Sequence, residues 1–140
     1  VMMLEIHRGI YEAIGRKDIP LMASDLTEPK NRPGIKIYIK PTANRMNSNV
    51  RITDYDIMVI YYTSDIYKHY LEVYEMEENF EEMLLGSVEL ENGIFIEFDE
   101  LEFKDEGDAL IVYLHTSIDT MIDTEEDDEV LEEMNLVIGV

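Results

Sequence analysis

Apolar residues at Met3, Ile6, Ile10 and Ile14 recur at helical spacing and turn Glu5, Arg8 and Glu12 away from their shared face, which predicts a first helix over residues 2–17. Asp18, Pro20, Pro29, Pro33 and Gly34 punctuate the next stretch, leaving it irregular apart from a short strand at 21–23. The period then changes from 3.6 to 2. Ile35, Ile37 and Ile39 alternate with Lys36, Tyr38 and Lys40, the pattern of a half-buried strand with a basic outer face, and Pro41 is its expected end. Residues 42–49 are polar and turn-forming, so this strand and the apolar run at 50–63 are read as a hairpin with a long loop.

Ser64 or Asp65 is a suitable N-cap for a second helix, whose apolar stripe is Ile66, Tyr70, Val73, Phe80, Met83 and Leu84 and whose stop is Gly86. Asn92-Gly93, set between Val88-Glu89-Leu90 and Ile94-Phe95-Ile96-Glu97-Phe98, marks a tight hairpin because both turn positions tolerate positive φ. A further turn at 105–108 leads into a β run over 109–118, rich enough in Ile, Val, Leu and Tyr to lie inside the sheet and not at its edge. The order α, β, β, α and then several β predicts an α+β fold, a mainly antiparallel sheet with two helices packed on one face.

After Thr120 the pattern is lost. Asp123, Glu125, Glu126, Asp127, Asp128, Glu129, Glu132 and Glu133 follow Asp119 with no basic residue among them, and the segment then turns apolar at Leu136-Val137-Ile138-Gly139-Val140. We therefore divide the chain into an α+β domain at 1–120 and an acidic C-terminal arm at 121–140. Leu136, Val137, Ile138 and Val140 make that end a candidate for adding a strand to a neighbour's sheet; folding back on the domain, or a short helix at 129–134, is the competing reading.

A length of 140 residues suits one domain. Lys plus Arg number 11 against 32 Asp plus Glu, a net charge of -21, yet 46% of residues are apolar, too many for a disordered acidic chain. A field of that sign opposes general binding to nucleic-acid backbones, which need their phosphates neutralised. The absence of cysteine excludes disulfides, thiolate catalysis and Cys-based zinc sites. No apolar run approaches the roughly 18 residues of a spanning helix, so neither a membrane anchor nor an export signal is expected.

His7, His69 and His115 stand apart from one another with no metal-ligand spacing, and the run 123–129 lacks the glycine and terminal glutamate of a calcium-binding loop. No phosphate loop, nucleophile elbow or Ser/His/Asp pattern stands out, so no catalytic residue, cofactor or metal is assigned. The distribution of charge is more informative. Lys30, Arg32, Lys36, Lys40, Arg45 and Arg51 all fall between Pro29 and Thr53, where there is no acid, while Glu72, Glu75, Glu77, Glu78, Glu81 and Glu82 crowd the second helix. This segregation is either two solvated faces or the complementary halves of a head-to-tail contact, in which the basic patch of one copy meets Glu72, Glu75, Glu78 and Glu82, or the arm, of the next. A third reading, nucleic acid on the basic hairpin, is opposed by the net charge and by the lack of an aromatic stacking motif beyond Tyr38.

In element order the chain resembles the tail terminator proteins of phages and prophages of Gram-positive bacteria. The resemblance covers residues 3–120 and rests on a short amphipathic first helix, a Pro-rich segment and a hairpin ending in Tyr55-Asp56-Ile57-Met58-Val59-Ile60-Tyr61-Tyr62. It continues through the second-helix sequence Tyr67-Lys68-His69-Tyr70-Leu71-Glu72-Val73-Tyr74-Glu75, then Phe80, Met83 and Leu84, and the Asn92-Gly93 hairpin. It implies a structural, non-enzymatic virion protein, assembled in the host cytoplasm. Copies would form a hexameric ring that caps the head-proximal end of the tail tube, stops its growth and docks to the neck or head. The implied partners are other copies of itself, tail tube protein, a neck or connector protein and, in a contractile tail, sheath protein; DNA passes through without specific binding. A neck or head-completion connector and an acidic DNA-mimic inhibitor are the alternatives. The resemblance does not account for the arm.

Overall fold

The computed structural model describes residues 2–23, 32–64 and 69–121. Helix α1 (Met2–Ile14) buries Ile6, Gly9, Ile10 and Ile14, and it stops at Gly15, whose φ of 71° is the left-handed conformation that closes a helix at least cost to glycine. Of the expected stripe only Met3 is exposed. At 21–23 there is a single parallel bridge, Leu21 to Ile35, in place of a strand.

Strands β1 (Gly34–Asn47) and β2 (Val50–Tyr62) form one long antiparallel hairpin. Pro41 does not end β1: the ladder shifts between Pro41 and Ala43 and then resumes to Asn47 opposite Val50. A bulge accommodates the missing proline N–H, so the chain pairs on through it. The residues expected to form a long loop are therefore mostly strand, and the turn is Ser48-Asn49, with Ser48 at a φ of 54°. β6 (Ala109–Met121) pairs with β2 along its whole length, Tyr62 opposite Ala109 and Val50 opposite Met121, and β5 (Glu102–Asp105) lies on its other side. The four-stranded order is β1-β2-β6-β5, antiparallel throughout and with β6 internal, as its composition predicts.

Helix α2 (His69–Leu84) buries Val73, Met76, Phe80 and Leu84. Tyr70 and Met83, expected on the same stripe, are exposed, because the buried stripe runs through Met76 instead. The proposed cap at Asp65 and the stripe residue Ile66 lie outside the described residues, but Ser64 holds the helix from its other side: its N–H donates to Glu72 at 2.9 Å, and the Tyr61 hydroxyl donates to the same carboxylate at 3.0 Å. β3 (Gly86–Glu89) and β4 (Phe95–Phe98) make a separate two-stranded hairpin, closed at Gly93 with Asn92 accepting from the Ile94 N–H.

One face of the large sheet, presenting Ile35, Ile37, Tyr55, Ile57, Val59, Tyr61, Leu110, Val112 and Leu114, packs under both helices and the small hairpin in a single core. This is the expected α+β arrangement with both helices on one face. The opposite face carries a smaller cluster of Met22, Ile60, Tyr62 and Ala109.

Helix α1 approaches the small hairpin closely at Gly9, where a Cβ would lie 2.3 Å from Leu90 Cδ2. Leu90 is almost fully buried, so its side chain would have to shift within the core to make room. Gly9→Val is therefore expected to destabilise the fold by about 1–3 kcal/mol through overpacking. In urea titrations the pair Gly9→Val/Leu90→Ala should lose clearly less stability than the two single losses added together; strict additivity would show that the helix does not meet the hairpin there.

Candidate assembly surfaces

The last members of the core on the long strands are Tyr55 and Ile118, and only the end of the three-strand ladder, from Arg45, Ile52 and Asp119 outward, lies past it. On β1 nearly every residue from Lys40 to Asn47 is exposed, and the β1-β2-β6 ladder holds to its end at Asn47, Val50 and Met121. This stretch of the hairpin carries three of the cations singled out in the sequence, Lys40 opposite Asp56 and Arg45 and Arg51 at the tip. Arg45 donates through both terminal nitrogens to Asp54, which also accepts from the Ser117 hydroxyl. The guanidinium and then the hydroxyl hold the Asp54 carboxyl below the usual aspartate range. Lys40 and Arg51 are exposed and make no ion pair or hydrogen bond among the described residues. Arg51 lies directly across the hairpin from Met46, an exposed thioether at the tip.

The other three are placed differently. Lys30 lies outside the described residues. Arg32, beside a cis peptide to Pro33, donates to the carbonyls of Thr63 at 3.2 Å and Asp108 at 3.0 Å and to the Asp108 carboxylate at 2.6 Å, so it ties the start of β1 to the end of β2 and to the β5–β6 turn. Lys36 is buried, with its amino group 4.8 Å from the centre of the Tyr38 ring. Burial works against its charge, but hydrogen bonds with the Tyr38 and Tyr62 hydroxyls outweigh it and raise its pKa above the ordinary lysine value. The outer face of β1 is thus basic only toward the tip. Near its start the alternate residues join the second apolar cluster, a feature signalled in the sequence by Met58, Ile60 and Tyr62 on the same parity of β2.

On α2, Glu72 is engaged with Ser64 and Tyr61, whereas Glu75, Glu78 and Glu82 are exposed. They share the helix surface with Tyr70, Leu71 and Tyr74, all more than half exposed, the two tyrosine rings meeting edge to face at 6.4 Å. Leu136, Val137, Ile138 and Val140 lie outside the described residues.

Sequence reasoning missed a groove of about 700 Å³ on the outer face of the sheet. Strand register builds its floor: Tyr38, Met58 and Tyr113 are cross-strand neighbours in one row, and Lys40, Asp56 and His115 in the next. His115 Nδ1 lies 2.8 Å from Asp56 Oδ1. Asp99, Glu100 and Glu102, from the β4–β5 connection and the start of β5, line the side toward β5. The sequence signal for this wall is Asp99-Glu100-Leu101-Glu102, which does not stand out among 32 acids.

Among the described residues no group of His, Asp and Glu has the geometry to hold a metal ion, and no helix is long and apolar enough to cross a membrane. Among the described residues the surface instead offers an unpaired cation, Arg51, on a projecting tip and unpaired anions elsewhere. No curated protein matches the chain. A family model described as phage tail terminator protein matches residues 5–130, which takes in every described element except the first residues of α1. With nine-tenths of its length inside that match, the chain belongs to the phage tail terminator family and is a structural component of the virion tail.

Proposed function

We propose that copies of this protein form a ring, hexameric by family resemblance, that caps the head-proximal end of the tail tube, halts its polymerisation and docks to the neck or head. The observation that carries the reading is the coexistence on one small subunit of a basic tip, with Arg51 unpaired among the described residues, and of exposed carboxylates on other surfaces, Asp99, Glu100 and Glu102 beside the outer-face groove and Glu75, Glu78 and Glu82 on α2. Tip and acids occupy different surfaces of the subunit, so a contact between them is heterologous and repeats from copy to copy, closing into a ring when the rotation allows. The role involves no catalytic step. Tube protein and a neck or connector protein are the partners on the two ring faces, with sheath protein a further one in a contractile tail.

Reversing the tip charge with Arg51→Glu should lower the assembled fraction in native mass spectrometry by about tenfold while the circular dichroism spectrum is unchanged. Wild-type assembly should weaken in the same direction as salt rises. Assembly that is indifferent to both changes would remove electrostatics from the contact. A subunit that binds portal-side proteins but not tube protein would mark a neck connector, and a monomer that binds a nucleic-acid enzyme would mark a DNA mimic.

A net charge of -21 leaves the ring without appreciable hold on DNA passing through it. In mobility-shift experiments at physiological salt the assembled protein should not retard duplex DNA. A retarded band whose intensity falls steeply with added salt would assign the basic tip to phosphates.

The arm enters the proposal on composition alone. Leu136, Val137, Ile138 and Val140 supply a short β-forming segment for the open edge of a neighbouring sheet, beyond an acidic spacer. Deleting residues 135–140 should leave the melting temperature unchanged and reduce attachment to the neighbour. A lower melting temperature with normal assembly would instead make the segment part of its own domain.

A further inference from the structure

We propose that the acceptor for the basic tip is the outer-face groove of a second copy, with Met46 seated on the Tyr38, Met58 and Tyr113 floor and Arg51 facing Asp99, Glu100 and Glu102. This rests on the ring reading above and specifies which surfaces meet. The first argument is that both halves are unsatisfied in the isolated subunit. Arg51 has no partner among the described residues, and neither do Asp99, Glu100 and Glu102, although ion pairs elsewhere occupy Asp18, Asp54, Asp56, Glu91, Glu106 and Asp108.

The second argument is shape. Met46 and Arg51 are directly opposed on one face of a two-residue turn, so the tip presents an apolar side chain beside a cation, and it is narrow and convex. The groove is concave: one floor row is Tyr38, Met58 and Tyr113, the next holds Lys40 and the Asp56–His115 pair, and the three carboxylates Asp99, Glu100 and Glu102 along one side leave its lining net acidic. A thioether packs well against aromatic rings, and an anchor side chain gains most in a pocket that excludes water. The α2 surface offers carboxylates and tyrosines too, but on the exposed outer side of a helix.

The third argument is reach. Met46 lies eight residues along β1 from Tyr38, roughly 26 Å at strand rise. β2 runs the same length paired with β6 without a break, so the tip cannot fold back onto its own groove. Any occupancy is between copies, and because tip and groove are different surfaces, every copy in the chain of contacts gives one and receives one.

The test is native mass spectrometry of the full chain with three charge variants, each at exposed positions and each checked for folding by circular dichroism. Arg51→Glu alone and Glu100→Lys/Glu102→Lys alone should each reduce assembly by about tenfold, and the triple variant, which exchanges the signs on both sides, should regain it. Glu78→Lys/Glu82→Lys on α2 should assemble as wild type. If the groove variant assembles normally and the α2 variant does not, the groove assignment is overturned while the ring reading stands. If wild-type protein stays monomeric even with tail tube protein present, the ring reading itself fails, and the groove assignment with it.

Discussion

The unbroken pairing of β2 with β6 is the constraint on which the rest of this molecule depends. Thirteen consecutive partners, from Tyr62 opposite Ala109 to Val50 opposite Met121, fix which residues of both strands face the helices and which face away. A slip of one residue would carry Val59 and Val112 out of the core and bring Ile60 and Ile111 into it. The bulge at Pro41 is tolerated in β1 because β1 pairs with β2 on one side only, while β2, held on both sides, keeps the ladder straight beyond the core. The same register that buries the core therefore also stiffens the projecting tip and lines up the two cross-strand rows of the groove floor.

Much of this was legible from periodicity. The change from a 3.6 to a 2 period located α1, β1 and β2, and the apolar continuity of the 109–118 segment put β6 inside the sheet, because a strand flanked on both sides and packed on one full face needs that composition. What failed were inferences from single residues. Proline at 41 was given more authority than the pairing energy of the residues beyond it. Tyr70 and Met83 were assigned to the buried stripe of α2 by type, although a stripe through Val73, Met76, Phe80 and Leu84 satisfies the helical period without them.

The charge pattern was legible only as a composition. Six cations between Pro29 and Thr53 read as one patch, but Arg32 and Lys36 are spent inside the subunit, one bridging three chain segments and one against tyrosine rings, and only a folded chain shows this. Conversely, Asp99, Glu100 and Glu102 were unremarkable among 32 acids until the fold set them beside an apolar floor. Sequence counts charges. Whether a charge is available to a partner depends on what the fold has already given it.

A subunit with a net charge of -21 has to associate against its own repulsion. Screening at physiological salt limits that repulsion to distances of about 8 Å, so distant acids on two copies scarcely feel each other, while groups in contact interact with little attenuation. Association is then decided locally, by the few groups that touch. A basic tip at the end of a rigid three-strand extension holds its cations away from most of the subunit's acids and brings them first to a neighbour's surface. Concentrating scarce positive charge at one projecting point is thus a physical route by which an acidic subunit can bind copies of itself while the rest of its surface stays unattractive to DNA.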